Sequence, residues 1–301
     1  MKTYLDCIPC FFKQAIRACA MINLSESRTK DILNRIALKL PDFPLSATPP
    51  EMGQIIHRII REQTGNPDPY NQLKKQSNKL ALTLYPTLKQ KVKNAQDPLL
   101  TAVELAIAGN IIDYGARSDL NLHHELDKIM SAEEQSISRE DSVLFNYSGF
   151  MKQLKSAQTI LYLADNAGEI VFDKVLIEEI KDFYHDKTIY VAVRGGPIIN
   201  DCTLEDAKLC GIDGIAHLLP NGSDAPGTIV HQCSDEFQDI YKNIDLVISK
   251  GQGNFESLSD TNKNIFYLFM VKCPVLSSEL NCKLKDIVLK SNSARNHQII
   301  S

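Results

Sequence analysis

Four short apolar runs constrain this chain more than any other feature: TILYLAD, TIYVAVRG, DLVISKG and IFYLFMVKC, spread over the second half of the sequence. Each is rich in Val, Ile, Leu or Tyr, and helical segments separate several of them. Near-continuous apolar strands alternating with helices belong to a parallel sheet covered on both faces. In such sheets ligands bind beyond the carboxyl ends of the strands. The residues that end the runs are therefore the candidate functional residues. They are Asp165 and Asn166, Arg194 and Gly195, Lys250 and Gly251, and Lys272.

The first half reads as consecutive helices. TPPEMGQIIHRIIREQTG opens on a capping box, Thr48 with Glu51, has Pro49 at the first helical position, and closes at Gly65. Its apolar stripe runs through Met52, Ile55, Ile56, Ile59 and Ile60. ESRTKDILNRIALKL and CFFKQAIRACAMI repeat the pattern, and Pro86 is expected to divide a further helical stretch. The fold class expected is α/β: an N-terminal helical bundle domain over residues 1–155, then a Rossmann-like, mostly parallel sheet with flanking helices over 156–301 that carries the candidate functional residues.

Composition narrows the function classes. Of 301 residues 44% are hydrophobic and 23% charged, and no apolar run approaches the ~20 residues of a membrane span. A net charge of −4 without a long basic run argues against a nucleic-acid binder, so small molecules are the favoured partners. Asp6 and Pro9 interrupt the N-terminal segment where a secretory signal needs an apolar core; a cytoplasmic location and eight reduced cysteines are expected. The number of subunits is left open.

The strand ends then suggest a chemistry. Asp165 and Asn166 can share a ligand only if the chain turns there, and Gly168 permits the turn into a following helix N-terminus, which favours anions. Either residue could instead be a plain N-cap. Asp201 is freer, because Thr203 with Asp206 forms a separate capping box for the next helix. An uncommitted Asp facing an Asp-Asn pair suits a hard divalent cation taking oxygen ligands. Lys250, on a loop whose Gly251 and Gly253 let backbone N–H groups approach an anion, and Lys272 could together offset a phosphate held beside that cation.

These residues carry a resemblance. LADNAGEIVFD, VRGGPIINDCT, KGQGNFESL and VKCPV, in this order behind AGNIIDYG and an N-terminal CIPC, resemble the damage-control phosphatase family, also known as domain of unknown function 89. The resemblance covers nearly the whole chain and points to its branch with an N-terminal Cys-x-x-Cys. It implies metal-dependent hydrolysis of small phosphomonoesters, such as sugar phosphates or damaged phosphometabolites, with Mn2+, Ni2+, Co2+ or Mg2+ as the cation. It places the metal and catalytic positions on Asp165, Asn166 and Asp201. Its substrate loop falls on Lys250 through Asn254, with Gly251, Gly253 and Asn254 as binding positions, and its later substrate-binding lysine on Lys272; Arg194, at the end of the second run, is a further substrate-binding candidate. The Arg-Thr-x-Lys motif of some branches is not matched, since this chain reads Phe269, Met270, Val271 and Lys272. The rival reading is a non-catalytic nucleotide or phosphometabolite sensor using the same sheet edge.

Other features are less specific. GQGN follows a strand, but Glu256 stands where a dinucleotide fingerprint needs its third glycine. Cys7 and Cys10 lie at a helix start without the four ligands a structural zinc site requires, and are read as inert or redox-active thiols. Asn110 and Asp113 are a polar pair in an apolar segment, either a buried hydrogen-bonded pair or part of the pocket.

Overall fold

The structure is a computed structural model, and it describes residues 1–109 and 142–292. Asn110 and Asp113 therefore lie outside the described residues. Six strands form one sheet: β1 Thr159–Leu163, β2 Thr188–Val193, β3 His217–Pro220, β4 Leu246–Lys250, β5 Ile265–Met270 and β6 Ile287–Ser291. Their order is β3-β2-β1-β4-β5-β6, all pairings being parallel except that of β5 with β6. The chain leaves β1 toward β2 and β3 and later returns to place β4 on the other side. The crevice between β1 and β4 is thus the switch point at which such sheets take their ligands.

Both faces of the sheet are covered. One carries Ile160, Tyr162, Val191, Ile248 and Leu268 against helices α4 (Asn71–Asn94), α5 (Pro98–Ala108), α6 (Tyr147–Ser156) and α7 (Glu169–Phe183). The other carries Leu161, Leu163, Val247, Tyr267 and Phe269 against two later helices, Asp235–Asn243 and Gln252–Leu258. Alternate residues of β1 thus feed two separate cores, which is why its run shows no polar alternation.

Helices α1 (Cys7–Met21), α2 (Glu26–Ala37) and α3 (Pro49–Thr64) keep a core of their own around Ala15, Ile36, Met52, Ile56 and Ile60. The capping box of α3 is present, and Gly65 ends the helix in the left-handed conformation at φ 68°. The following α4 differs from expectation: it runs unbroken through Pro86. Pro86 is exposed, while Ala81, Leu84 and Leu88 on the opposite side are buried in the shared core, and the packing of that face outweighs the one hydrogen bond the proline forfeits. Because α4 and α5 pack into the core of the sheet, the hydrophobic interior is continuous across the helical and α/β halves.

The helical layer is pinned over the strand ends by α3. Arg61 pairs with Asp224 and donates to the Pro197 carbonyl at 2.9 Å, and Gln54 donates to Asp224 at 2.7 Å. Pro197 and Asp224 lie on the loops after β2 and β3. A cavity of about 1170 Å3 lies between α1, the start of α3 and the switch point. Among the described residues no helix is long and apolar enough to cross a membrane.

Candidate active site

Asp165, Asn166 and Asp201 all line this cavity. The turn after β1 folds against the loop after β2, with Cys202 N–H donating to Asp165 C=O at 2.7 Å and Ala167 N–H to Asn200 C=O at 2.9 Å. Asn166 and Asp201 are paired by an isolated antiparallel bridge. Neither Asp165 nor Asn166 caps α7: its N-cap is Gly168, at φ 80°. Asp201 is likewise spared, because Thr203 caps the next helix in a capping box with Asp206.

Asn166 Nδ2 donates to Asp165 Oδ2 at 2.9 Å and to Glu169 Oε2 at 3.2 Å. With its amide hydrogens aimed at two carboxylates, Oδ1 is the Asn166 atom left to meet a cation. Gly251, at φ 80°, backs this arrangement: a Cβ there would collide with the Asp165 carboxylate.

Arg194 lies behind the acidic residues instead of on the cavity wall. Its Nε donates to Asp201 Oδ2 at 2.6 Å, and Nη2 stands 3.8 Å from Asp165 Oδ1 without a hydrogen bond. Nη1 donates to Asn254 Oδ1 at 3.1 Å, and Asn254 Nδ2 in turn donates to the Lys250 and Ala164 carbonyls. Both residues are buried, so the expectation that they touch substrate gives way to a supporting role. Gly253 does line the cavity, where a Cβ would collide with the Pro226 carbonyl.

Lys250 is the largest correction. Its side chain is 0% exposed and turned away from the cavity, ending on Glu169 Oε1 and Asp173 Oδ1 at 2.6 Å each and on the Ala106 carbonyl at 2.7 Å. The physical reason lies in α7: Glu169 and Asp173 are one turn apart on its sheet-facing side, and two buried carboxylates demand a cation. Burial would lower the pKa of the Lys250 ammonium, but Asp173 and Glu169 more than reverse this and raise it. Asp173 is pushed up to about 6 by burial, against the pull of Lys250, and also accepts from Tyr162 Oη at 2.8 Å. Lys272, by contrast, is exposed on the cavity wall, and its charge reaches Asp165.

Carboxylates crowd the site. Arg194 faces Asp165 and Asp201, Lys250 pairs with Glu169 and Asp173, and the charges of Lys74 and Lys272 reach Asp201 and Asp165 from farther away. Burial, then Glu169 and Asp201, drive the Asp165 carboxyl well above its usual range. Burial also raises Asp201, against Arg194. Among the described residues no three His, Cys, Asp or Glu side chains are placed to share a metal ion. A cation here would rest on two carboxylates and one amide oxygen, a hard donor set that leaves room for water and fits a divalent ion.

Sequence reasoning missed Glu169, Asp173 and Glu256. The first two had a signal, since carboxylates one turn apart flank the apolar Ile170–Phe172 at the start of the helix. Glu256 lines the cavity, accepts from Gln252 Nε2 at 2.9 Å, and is pushed up to about 7 by burial.

Comparison with known proteins gives a family. Residues 3–288 match the model of the damage-control phosphatase ARMT1-like domain. A damage-control phosphatase of Pyrococcus horikoshii is 32% identical over 97% of this chain and 99% of its own length. One from Archaeoglobus fulgidus is 37% identical over 78% and 80%. The crystal structure of a DUF89 family protein from Pyrococcus horikoshii superimposes with a TM-score of 0.85 at 30% identity, covering 97% of this chain and 99% of that one. The chain belongs to the damage-control phosphatase ARMT1-like domain family.

Proposed function

We propose that this protein is a metal-dependent phosphatase that hydrolyses small phosphomonoesters, such as sugar phosphates or damaged phosphometabolites. The observation that carries the reading is the meeting of Asp165, Asn166 and Asp201 on one wall of the cavity at the switch-point crevice, where burial raises both carboxyls. Family membership and the names of its relatives support a phosphatase.

A divalent cation bound there would polarise a phosphoryl oxygen and acidify a water. The chain's own residues prepare the rest. Arg194 holds Asp201, while Glu169 and Asp165 fix the amide of Asn166, so the donors meet substrate without rearranging. Lys272 approaches the phosphoryl oxygens from the cavity wall and offsets their charge. Water adds to phosphorus, the ester P–O bond breaks, and the alcohol leaves with a proton while orthophosphate stays behind. The cavity is far larger than a phosphate group, so the organic part faces Gln252, Glu256 and the start of α1.

Purified protein incubated with a panel of sugar phosphates and Mn2+, Ni2+, Co2+ or Mg2+ should release inorganic phosphate. Binding of these esters without any turnover would instead favour a metabolite sensor on the same sheet edge.

A further inference from the structure

We infer that Asn78, on helix α4, is a positioning residue for the metal site, an inference that rests on the metal-dependent reading above. Asn78 is 0% exposed. Its Oδ1 accepts from Gly168 N–H at 2.7 Å, and its Nδ2 donates to Asp206 Oδ1 at 2.8 Å. The amide can face only one way, because a backbone N–H can only donate and a carboxylate can only accept.

The two partners belong to the two ligand loops. Gly168 closes the turn that carries Asp165 and Asn166. Asp206 Oδ2 accepts from Thr203 N–H at 3.0 Å and Thr203 Oγ1 at 2.6 Å, fixing the helix start just beyond Asp201. On the cavity side the loops are joined through their backbones, from Cys202 to Asp165 and from Ala167 to Asn200. Behind them the bridge Gly168–Asn78–Asp206–Thr203 runs through one side chain from the helical half of the molecule. Lys74, one turn earlier on α4, holds Asp206 from another direction at 3.3 Å and Asp68 at 2.9 Å.

A residue that only holds the fold would change stability and leave the cation affinity of folded protein alone. A positioning residue changes the affinity. Asn78→Asp keeps an acceptor for Gly168 but sets a carboxylate against Asp206, so its Mn2+ affinity should fall about ten-fold, the loss usual for a group supporting metal ligands. The double variant Asn78→Asp with Asp206→Asn exchanges amide and carboxylate, restores both hydrogen bonds, and should return to within about three-fold of the unaltered protein.

Calorimetric titration of Mn2+ into each folded variant reads these effects without any turnover. If Asn78→Asp does not fold, Asn78→Ser, which breaks the bridge without adding charge, carries the comparison. Equal Mn2+ affinity in the Asn78 variants and the unaltered protein would overturn the positioning role while leaving the metal-site reading intact. An unaltered protein that binds no divalent cation would overturn both.

Discussion

Lys250 Nζ stands 2.6 Å from Glu169 Oε1 and 2.6 Å from Asp173 Oδ1, with no surface exposed to solvent. The strand after which a substrate-binding lysine was expected instead delivers a buried countercharge. Through Glu169 it reaches Asn166, so one ammonium group sets the position of a candidate metal ligand.

Lys250→Met should therefore act first on stability. Removing one member of a buried charge cluster leaves uncompensated carboxylates and costs about 3 to 5 kcal/mol. Urea unfolding of the variant should show a midpoint well below that of the unaltered protein. A variant of normal stability with weakened phosphate binding would return Lys250 to the substrate.

Lys272→Ala should behave in the opposite way. Its side chain is exposed on the cavity wall, so its loss should cost the fold little. Losing one solvent-screened ion pair of about 1 kcal/mol corresponds to roughly a five-fold rise in KM for a phosphomonoester. Steady-state kinetics beside an unfolding curve separate the two effects.

Gly251→Ala should abolish activity although only a methyl group is added. The backbone there is at φ 80°, and the new Cβ would strike the Asp165 carboxylate. Cation affinity, measured on folded protein, should fall with the activity.

Stability should fall at acid pH through His57, which is 2% exposed and whose Nε2 has no hydrogen-bond partner among the described residues. Burial, with Arg61 adding to it, lowers its pKa from 6.5 to about 3. Because the folded value lies below the unfolded one, stability is fully present above pH 6.5. It is lost as pH falls from there toward 3, at up to about 1.4 kcal/mol per pH unit from this group. His57→Phe should flatten that part of the pH–stability curve, and an unchanged curve would acquit the histidine.

The fold was largely legible in the sequence because four strands are apolar on both faces and end in polar residues. The strands β3 and β6 were not read: HLLP and IVLKS are short edge strands, and His217 and Pro220 are exposed. The cavity-facing trio Asp165, Asn166 and Asp201 could be read because the Thr203–Asp206 capping box freed Asp201 from a local role. Lys250 was misplaced because a strand-end lysine looks the same whether it turns outward to a phosphate or inward to Glu169 and Asp173. That choice is made by a helix that packs against the strand only in three dimensions. Asn78 was invisible for a similar reason, since its partners are 90 and 128 residues away along the chain.

The most direct test of a metal-dependent phosphatase at this site is Mn2+ binding and phosphate release by chelator-stripped protein, compared with the Asp165→Asn, Asp201→Asn double variant. The unaltered protein should bind the cation and turn over sugar phosphates only when it is restored, whereas the folded double variant should bind weakly and lose activity by two or more orders of magnitude, roughly the several kcal/mol a catalytic metal supplies. Full turnover after stripping, or undiminished cation binding and activity in the double variant, would contradict the site and the reaction assigned to it.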